Sequence, residues 1–211
     1  MKRYFLLLAF GLGILSLGAQ NFAGNIEFMQ ITPKDTSLNM YWVKDNLVKL
    51  DQMAKKGTGV EGSFLINLQA GNIKFISPKR KLWGNQKSEV PSVNKGTFEV
   101  TRGKNTKKIA GYTCSEHIVK NVEENTIITY WITEGNFDFF LKMLKLWNRK
   151  DKQSVYYNQI KNIPIGSMPL LSEEKSISDG KLISKLEVTK IDKKIPAAST
   201  FVIPSVYTKF E

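Results

Sequence analysis

Residues 109–119 read IAGYTCSEHIV and hold both the single cysteine, Cys114, and the single histidine, His117. The spacing invites a thiol–imidazole pair or a metal site, but the segment has the character of a strand. In an extended chain, side chains three positions apart point to opposite faces. Cys114 then falls with Tyr112, Glu116 and Ile118, and His117 with Thr113, Ser115 and Val119. No dyad forms without a bulge. A zinc site would need three or four convergent ligands, and the sequence has no second His or Cys to supply them. Cys114 is therefore expected to be a buried structural thiol behaving as a small hydrophobe, and His117 a surface or cross-strand residue. No metal and no cofactor is expected.

The same two-residue alternation extends outward in both directions and predicts strands bounded by turn residues. Upstream lie GNIEFMQIT, TSLNMYWV with Leu38, Met40 and Trp42 on one face, NLVKL, GSFLINLQ, NIKFISP and TFEVTR. Downstream lie NTIITYWIT, LLSEEKSIS, KLISKLEVTKI and the terminal FVIP. Asp45-Asn46, Ala70-Gly71 and Asp179-Gly180 read as tight hairpin turns. The expectation is a mainly β (α+β) fold, an antiparallel meander of roughly ten strands, well above the ordinary strand share.

One helical segment interrupts the meander. NFDFFLKMLKLWNRK, residues 136–150, sets Asp138, Lys142, Lys145 and Arg149 on one polar stripe. Its apolar residues fill the remaining arc, about 220° at ~100° per residue, roughly twice what a helix resting on a sheet requires. Either the sheet and its loops wrap the helix, or helix and sheet enclose an apolar pocket. Phe140, Leu144 and Trp147 form one stripe and Phe139, Met143 and Leu146 the next; the first is taken as the pocket-facing one.

The chain opens with MKRYFLLLAFGLGILSLGAQ. Its basic start, apolar run and small-residue exit predict a cleavable signal peptide over residues 1–19, with an uncleaved anchor as the competing reading. The run is shorter than the roughly 20 residues that a spanning helix needs, and no other stretch of the sequence comes close, so the rest is not expected to span a membrane. Residues 20–211 are expected to form a single domain, since no Pro/Gly/Ser-rich linker divides them. With one cysteine, no internal disulfide can staple the fold in an oxidising compartment.

There are 31 Lys and Arg against 19 Asp and Glu, a formal net charge of +12. Such a surface favours anionic company. In an exported protein this points to an anionic envelope surface and away from nucleic acid. The clusters Lys79–Lys81, Lys104 with Lys107 and Lys108, and Lys193-Lys194 are assigned to solvated turns. A nucleophile elbow, a P-loop, an H-E-x-x-H motif and a dinucleotide fingerprint are all missing from the sequence. The carboxylate pairs Glu123-Glu124 and Glu173-Glu174 are read as solvated residues in or beside turns. No catalytic residue is assigned, and the protein is expected not to be an enzyme.

The opening GNIEF strand, IAGYTCSEHIV followed by TYWIT, and the closing LEVTKIDKKIPAASTFVIPSVYTKF together resemble a family of exported Gram-negative envelope proteins known only as a domain of unknown function. The sheet of that family is similar to the lipoprotein carriers LolA and LolB. This resemblance implies a strongly curved antiparallel sheet or half-barrel, partly closed by a helix over its concave face, and a periplasmic or outer-envelope location.

Two functions of different class follow. The first is a carrier or sensor that holds a lipid-like or lipoprotein ligand in an apolar cavity, with Trp42, Trp83, Trp131, Phe137, Phe140, Leu144 and Trp147 as candidate lining residues. The second is a structural or interaction protein with a filled core that binds an envelope protein. A void of several hundred Å³ lined by Trp42, Phe140 and Leu144 would favour the first. Native packing density throughout would favour the second.

Overall fold

The computed structural model describes residues 21–55, 59–88 and 94–210; the expected signal segment lies outside them. Six strands form a first meander: β1 (Gly24–Ile31), β2 (Thr36–Lys44), β3 (Leu47–Met53), β4 (Val60–Asn67), β5 (Asn72–Ser77) and β6 (Leu82–Gln86). A second comprises β7 (Glu99–Ile109), β8 (Tyr112–Asn121) and β9 (Thr126–Thr133), followed by α1 (Asp138–Trp147) and α2 (Lys152–Tyr157). The chain then returns as β10 (Met168–Ser176) and β11 (Leu182–Asp192), makes a short 3-10 turn at Ala198–Phe201, and ends in β12 (Thr208–Lys209). All twelve strands belong to one open, curved sheet in the order β12-β6-β5-β4-β3-β2-β1-β11-β10-β9-β8-β7. Docking of β11 beside β1 joins the two meanders.

Turn chemistry sets the hairpins. Ala110 (φ 47°) and Gly111 (φ 86°) link β7 to β8 with two positive φ values. That is the backbone of the two-residue turn whose twist matches the flanking strands. Asp45, at φ 53°, does the same work between β2 and β3.

Three differences from the expected pattern have physical causes. The strand β6 escapes notice because Gly84, Asn85 and Gln86 break its alternation. It pairs nonetheless, and Gly84 leaves room for Phe210, whose ring would lie 2.6 Å from any Cβ there. The FVIP segment is not a strand. Phe201 ends the 3-10 turn, and Pro204, which has no N–H to give a ladder, begins a turn closed by the Tyr207 N–H on the Pro204 carbonyl at 3.0 Å. The third concerns Lys104, Lys107 and Lys108, which lie not in a turn but in the edge strand β7, whose register shifts between Arg102 and Thr106. Lysines and an irregularity on an edge discourage pairing with another chain.

The registers divide the first meander into two faces. Ile26, Tyr41, Leu50, Phe64 and Phe75 share one side in successive strands. The helices cover this inner face: Trp147 sits 4.5 Å from Phe64 between ring centroids, and Phe139 sits 6.0 Å from Tyr41. On the outer face Trp42 Nε1–H donates to Asp51 Oδ2 at 2.8 Å, Ser63 Oγ–H to Asp51 Oδ1 at 2.5 Å, and Lys49 Nζ lies 3.1 Å from Asp51 Oδ1. Asp51, Ser63 and Ile76 lie in one row and all are buried, as is Phe201, while the 3-10 turn rests on β3. Ile76 and Phe201 stand outside the main core cluster. The C-terminal segment thus makes a second, smaller core on the outer face.

Candidate functional site

Beneath α1 and α2 the inner face is not fully filled. A partly open cleft of about 160 Å³ remains, with a smaller void of about 50 Å³ beside it. Its apolar wall comes from α1, through Phe140, Met143, Leu144 and Trp147, and from the sheet, through Phe28, Tyr41 and Leu50. The helix ends where Asn148 adopts a left-handed conformation, its N–H donating to the Leu144 carbonyl at 2.8 Å. That stop turns the chain so that Arg149, Asp151 and α2 close the other side of the cleft.

α1 buries Phe139, Phe140, Met143, Leu144 and Trp147, while Leu141 is 36% exposed and Leu146 only half-buried. At ~100° per residue the buried arc spans about 140°, not 220°. Phe137 lies before the first helical turn and Leu141 faces solvent.

Of the residues named from sequence, the cleft brings together Phe140, Leu144 and Trp147. Phe137 packs instead on Phe22 and Tyr112, at 5.0 and 5.5 Å between ring centroids. Trp42, Trp83 and Trp131 do not line the cleft. Pairing puts Trp83 in the outer-face row of Ile76 and Asp51, where Lys74 and Lys209 lie 5.0 and 5.7 Å from its ring. Trp131 stands opposite Glu116 and Leu171, with Lys107 at 5.4 Å. Tryptophan carries a polar N–H and tolerates such half-exposed positions. Cys114 is fully buried in the core cluster. Burial pushes its thiol up to about 11. His117 pairs with Tyr130 across β9 and with Arg102 across β7, and burial lowers its pKa.

The polar end of the cleft is built from α2, β9, β10 and β11. Asp151 caps α2, accepting the Ser154 N–H at 3.0 Å, and so presents Gln153 toward the sheet. Gln153 Nε2–H donates to Ser184 Oγ at 2.9 Å, and Ser184 Oγ–H donates to Glu174 Oε2 at 2.8 Å. The Gln153 main-chain carbonyl accepts the Tyr130 hydroxyl at 2.7 Å. Glu174 is thus a buried residue of β10, not a solvated turn residue, and Glu173 points the opposite way, out of the cleft. Alternation in LLSEEKSIS already groups Leu170, Ser172 and Glu174 on one face, and all three are buried. The six-residue α2 is too short for a periodicity signal, so Gln153 carried none.

The phenols around the cleft remain protonated at neutral pH: burial raises Tyr41 to about 12 and drives Tyr130 and Tyr157 well up. Among the described residues, no three His, Cys, Asp or Glu side chains gather as a metal ion would need, and no helix is long and apolar enough to cross a membrane.

An open, curved sheet with helices laid on one face and a cleft between them defines the class of fold. The chain belongs to the family described as a domain of unknown function (DUF4412), whose sequence profile matches residues 22–207. No curated protein matches it by sequence. Among solved structures, it is similar to an uncharacterised conserved protein from Thermus thermophilus. The TM-score is 0.50 and the identity 6%, with 89% of this chain and 90% of that one covered. It also matches the Pseudomonas aeruginosa MucA/MucB complex structure at TM-score 0.49 and 11% identity, over 87% of this chain and 56% of that one. A LolA superfamily protein from Nitrosomonas europaea matches at TM-score 0.35 and 10% identity, over 87% of this chain and 90% of that one.

Proposed function

We propose that this is a non-catalytic, exported binding protein of the Gram-negative envelope that receives an apolar group of a lipid-like or lipoprotein ligand in the cleft beneath α1. The observation that carries this reading is the unfilled apolar wall of Phe140, Leu144 and Trp147 against Tyr41 and Leu50, all packed on or within the main hydrophobic core. Protein cores pack to crystal-like density and leave few voids larger than a water molecule. The volume of about 160 Å³ resembles the ~150 Å³ cavities known to hold a benzene. It admits one acyl segment or one apolar side chain, and not a whole lipid. At about 160 Å³ and without Trp42 in its lining, the cleft falls short of the several hundred Å³ expected of a carrier cavity, and its size suits equally a second reading, in which a protein partner inserts a single apolar side chain.

Fluorescence of the neutral apolar probe N-phenyl-1-naphthylamine, whose phenyl ring matches the cleft's volume and enters it through the open side while the naphthyl group stays outside, tests the cleft. Enhancement by the wild type is expected, reduced about tenfold in apparent affinity by Phe140→Ala, a change of roughly 1.4 kcal/mol, and unaltered by Leu141→Ala. If the wild type gives no enhancement, the carrier reading is lost.

A further inference from the structure

Gln153 is 8% exposed, lines the cleft, and its Oε1 has no hydrogen-bond partner among the described residues. Buried polar atoms are nearly always satisfied, and each exception calls for a cause. The amide cannot simply be turned round. Ser184 gives its one hydroxyl proton to Glu174, so the group facing Ser184 Oγ must be the donor Nε2. The unused atom is therefore an acceptor. Close by, Glu174 is a 7%-exposed carboxylate whose hydrogen bond comes from Ser184, with no Lys or Arg nitrogen within 4.0 Å among the described residues. A buried carboxylate ordinarily has a cationic or multiply donating partner.

The cations at the rim are engaged elsewhere. Arg149 Nε lies 2.9 Å from Asp151 Oδ2, and its guanidinium rests 5.1 Å from the Trp147 ring. Lys152 Nζ donates to Thr126 Oγ1 at 2.6 Å and to the Glu124 carbonyl at 3.3 Å. Tyr41 and Asn39 can donate or accept and do not discriminate.

We infer that the unpartnered Gln153 Oε1 and the Glu174 carboxylate form a subsite for a hydrogen-bond donor, best matched by a primary ammonium head joined to a short apolar group. This rests on the binding function proposed above and deepens it. The subsite is opposite in character to the overall charge: a chain of +12 favours anions over its surface, whereas this cleft end presents acceptors. The acceptors are worth most where water is excluded, because an ionic hydrogen bond strengthens as the local dielectric falls.

Isothermal titration of the purified protein at neutral pH with hexylamine, hexanol and hexanoate distinguishes the outcomes. Hexylamine is expected to bind at least about tenfold more tightly than hexanoate, with hexanol between them; tenfold corresponds to roughly 1.4 kcal/mol. Glu174→Gln is expected to remove most of the advantage of the amine over the alcohol while hexanol affinity changes little. Gln153→Glu, which keeps an acceptor, should retain the preference. Hexanoate binding as tightly as hexylamine, or an amine preference unchanged in Glu174→Gln, overturns the subsite while leaving the apolar cleft intact. Failure of all three ligands overturns both. The wild-type comparison needs no variant, so a misfolded substitution does not rescue the proposal.

Discussion

The two faces of β2 carry opposite burdens. Asn39, Tyr41 and Val43 look inward toward the helices, while Leu38, Met40 and Trp42 look outward. By hydrophobicity alone the second set is the core. Yet Val43 is fully buried and Leu38 is 38% exposed. The inner face closes around a cleft with two polar acceptors at one end. The outer face closes around Asp51, which collects a tryptophan N–H, a serine hydroxyl and a lysine. Alternation reveals which side chains share a face but not which face a distant segment will cover. Here α1 and α2 cover one, and the segment after β11 covers part of the other.

The largest expected effect breaks the inner face where it is fully packed. Phe139 lies against Tyr41 and Phe22, at 6.0 and 6.2 Å between ring centroids. Phe139→Ala should cost about 3 to 5 kcal/mol of stability. Phe140→Ala should cost less, because its ring borders space that is already empty. Urea midpoints of the two variants, measured side by side, would show equal losses if the cleft were closed in solution.

On the outer face, Asp51→Ala should destabilise by about 3 kcal/mol, since it strands a half-buried indole N–H, a buried hydroxyl and a partly buried ammonium together. Thermal unfolding checks this, and near-neutrality would show that the outer-face network is only decorative. Probe binding in the cleft should survive the substitution.

A smaller loss is expected from Cys114→Ser, at about 1 kcal/mol, the low end for a buried hydroxyl. The Tyr112 carbonyl, 3.7 Å from the thiol sulfur, offers the new hydroxyl an acceptor. Burial raises the wild-type thiol from 9.0 to about 11. A folded-state pKa above the unfolded value means that the thiol's contribution to stability is complete below about pH 9 and is lost as pH rises through 11. The serine variant should lack that part of the alkaline loss in a pH-dependent unfolding series. In the native protein at neutral pH, iodoacetamide should label Cys114 very slowly, and rapid labelling would contradict its burial.

The smallest effect belongs to Leu141→Ala, within about 0.5 kcal/mol by chemical denaturation. A larger loss would mean that this exposed face of α1 is covered by something in solution.

Local pattern was enough for much of the fold. Period-two alternation and the turns at Asp45-Asn46, Ala70-Gly71 and Asp179-Gly180 located ten of the strands. Strand parity placed Cys114 and His117 on opposite sides, and the 3.6-residue period of residues 136–150 located α1 with its cleft-lining stripe of Phe140, Leu144 and Trp147. These features depend on neighbours a few residues away, so they are written in short stretches of chain. Tertiary structure alone decided the rest. It made β6 a strand through pairing with β5 and the fit of Phe210 over Gly84, and it turned Trp42, Trp83 and Trp131 away from the cleft. It also brought Gln153, Glu174 and Ser184 from α2, β10 and β11 to one point. Burial and hydrogen-bond completion are properties of what lies across a face, and that partner is set by the order in which twelve strands assemble.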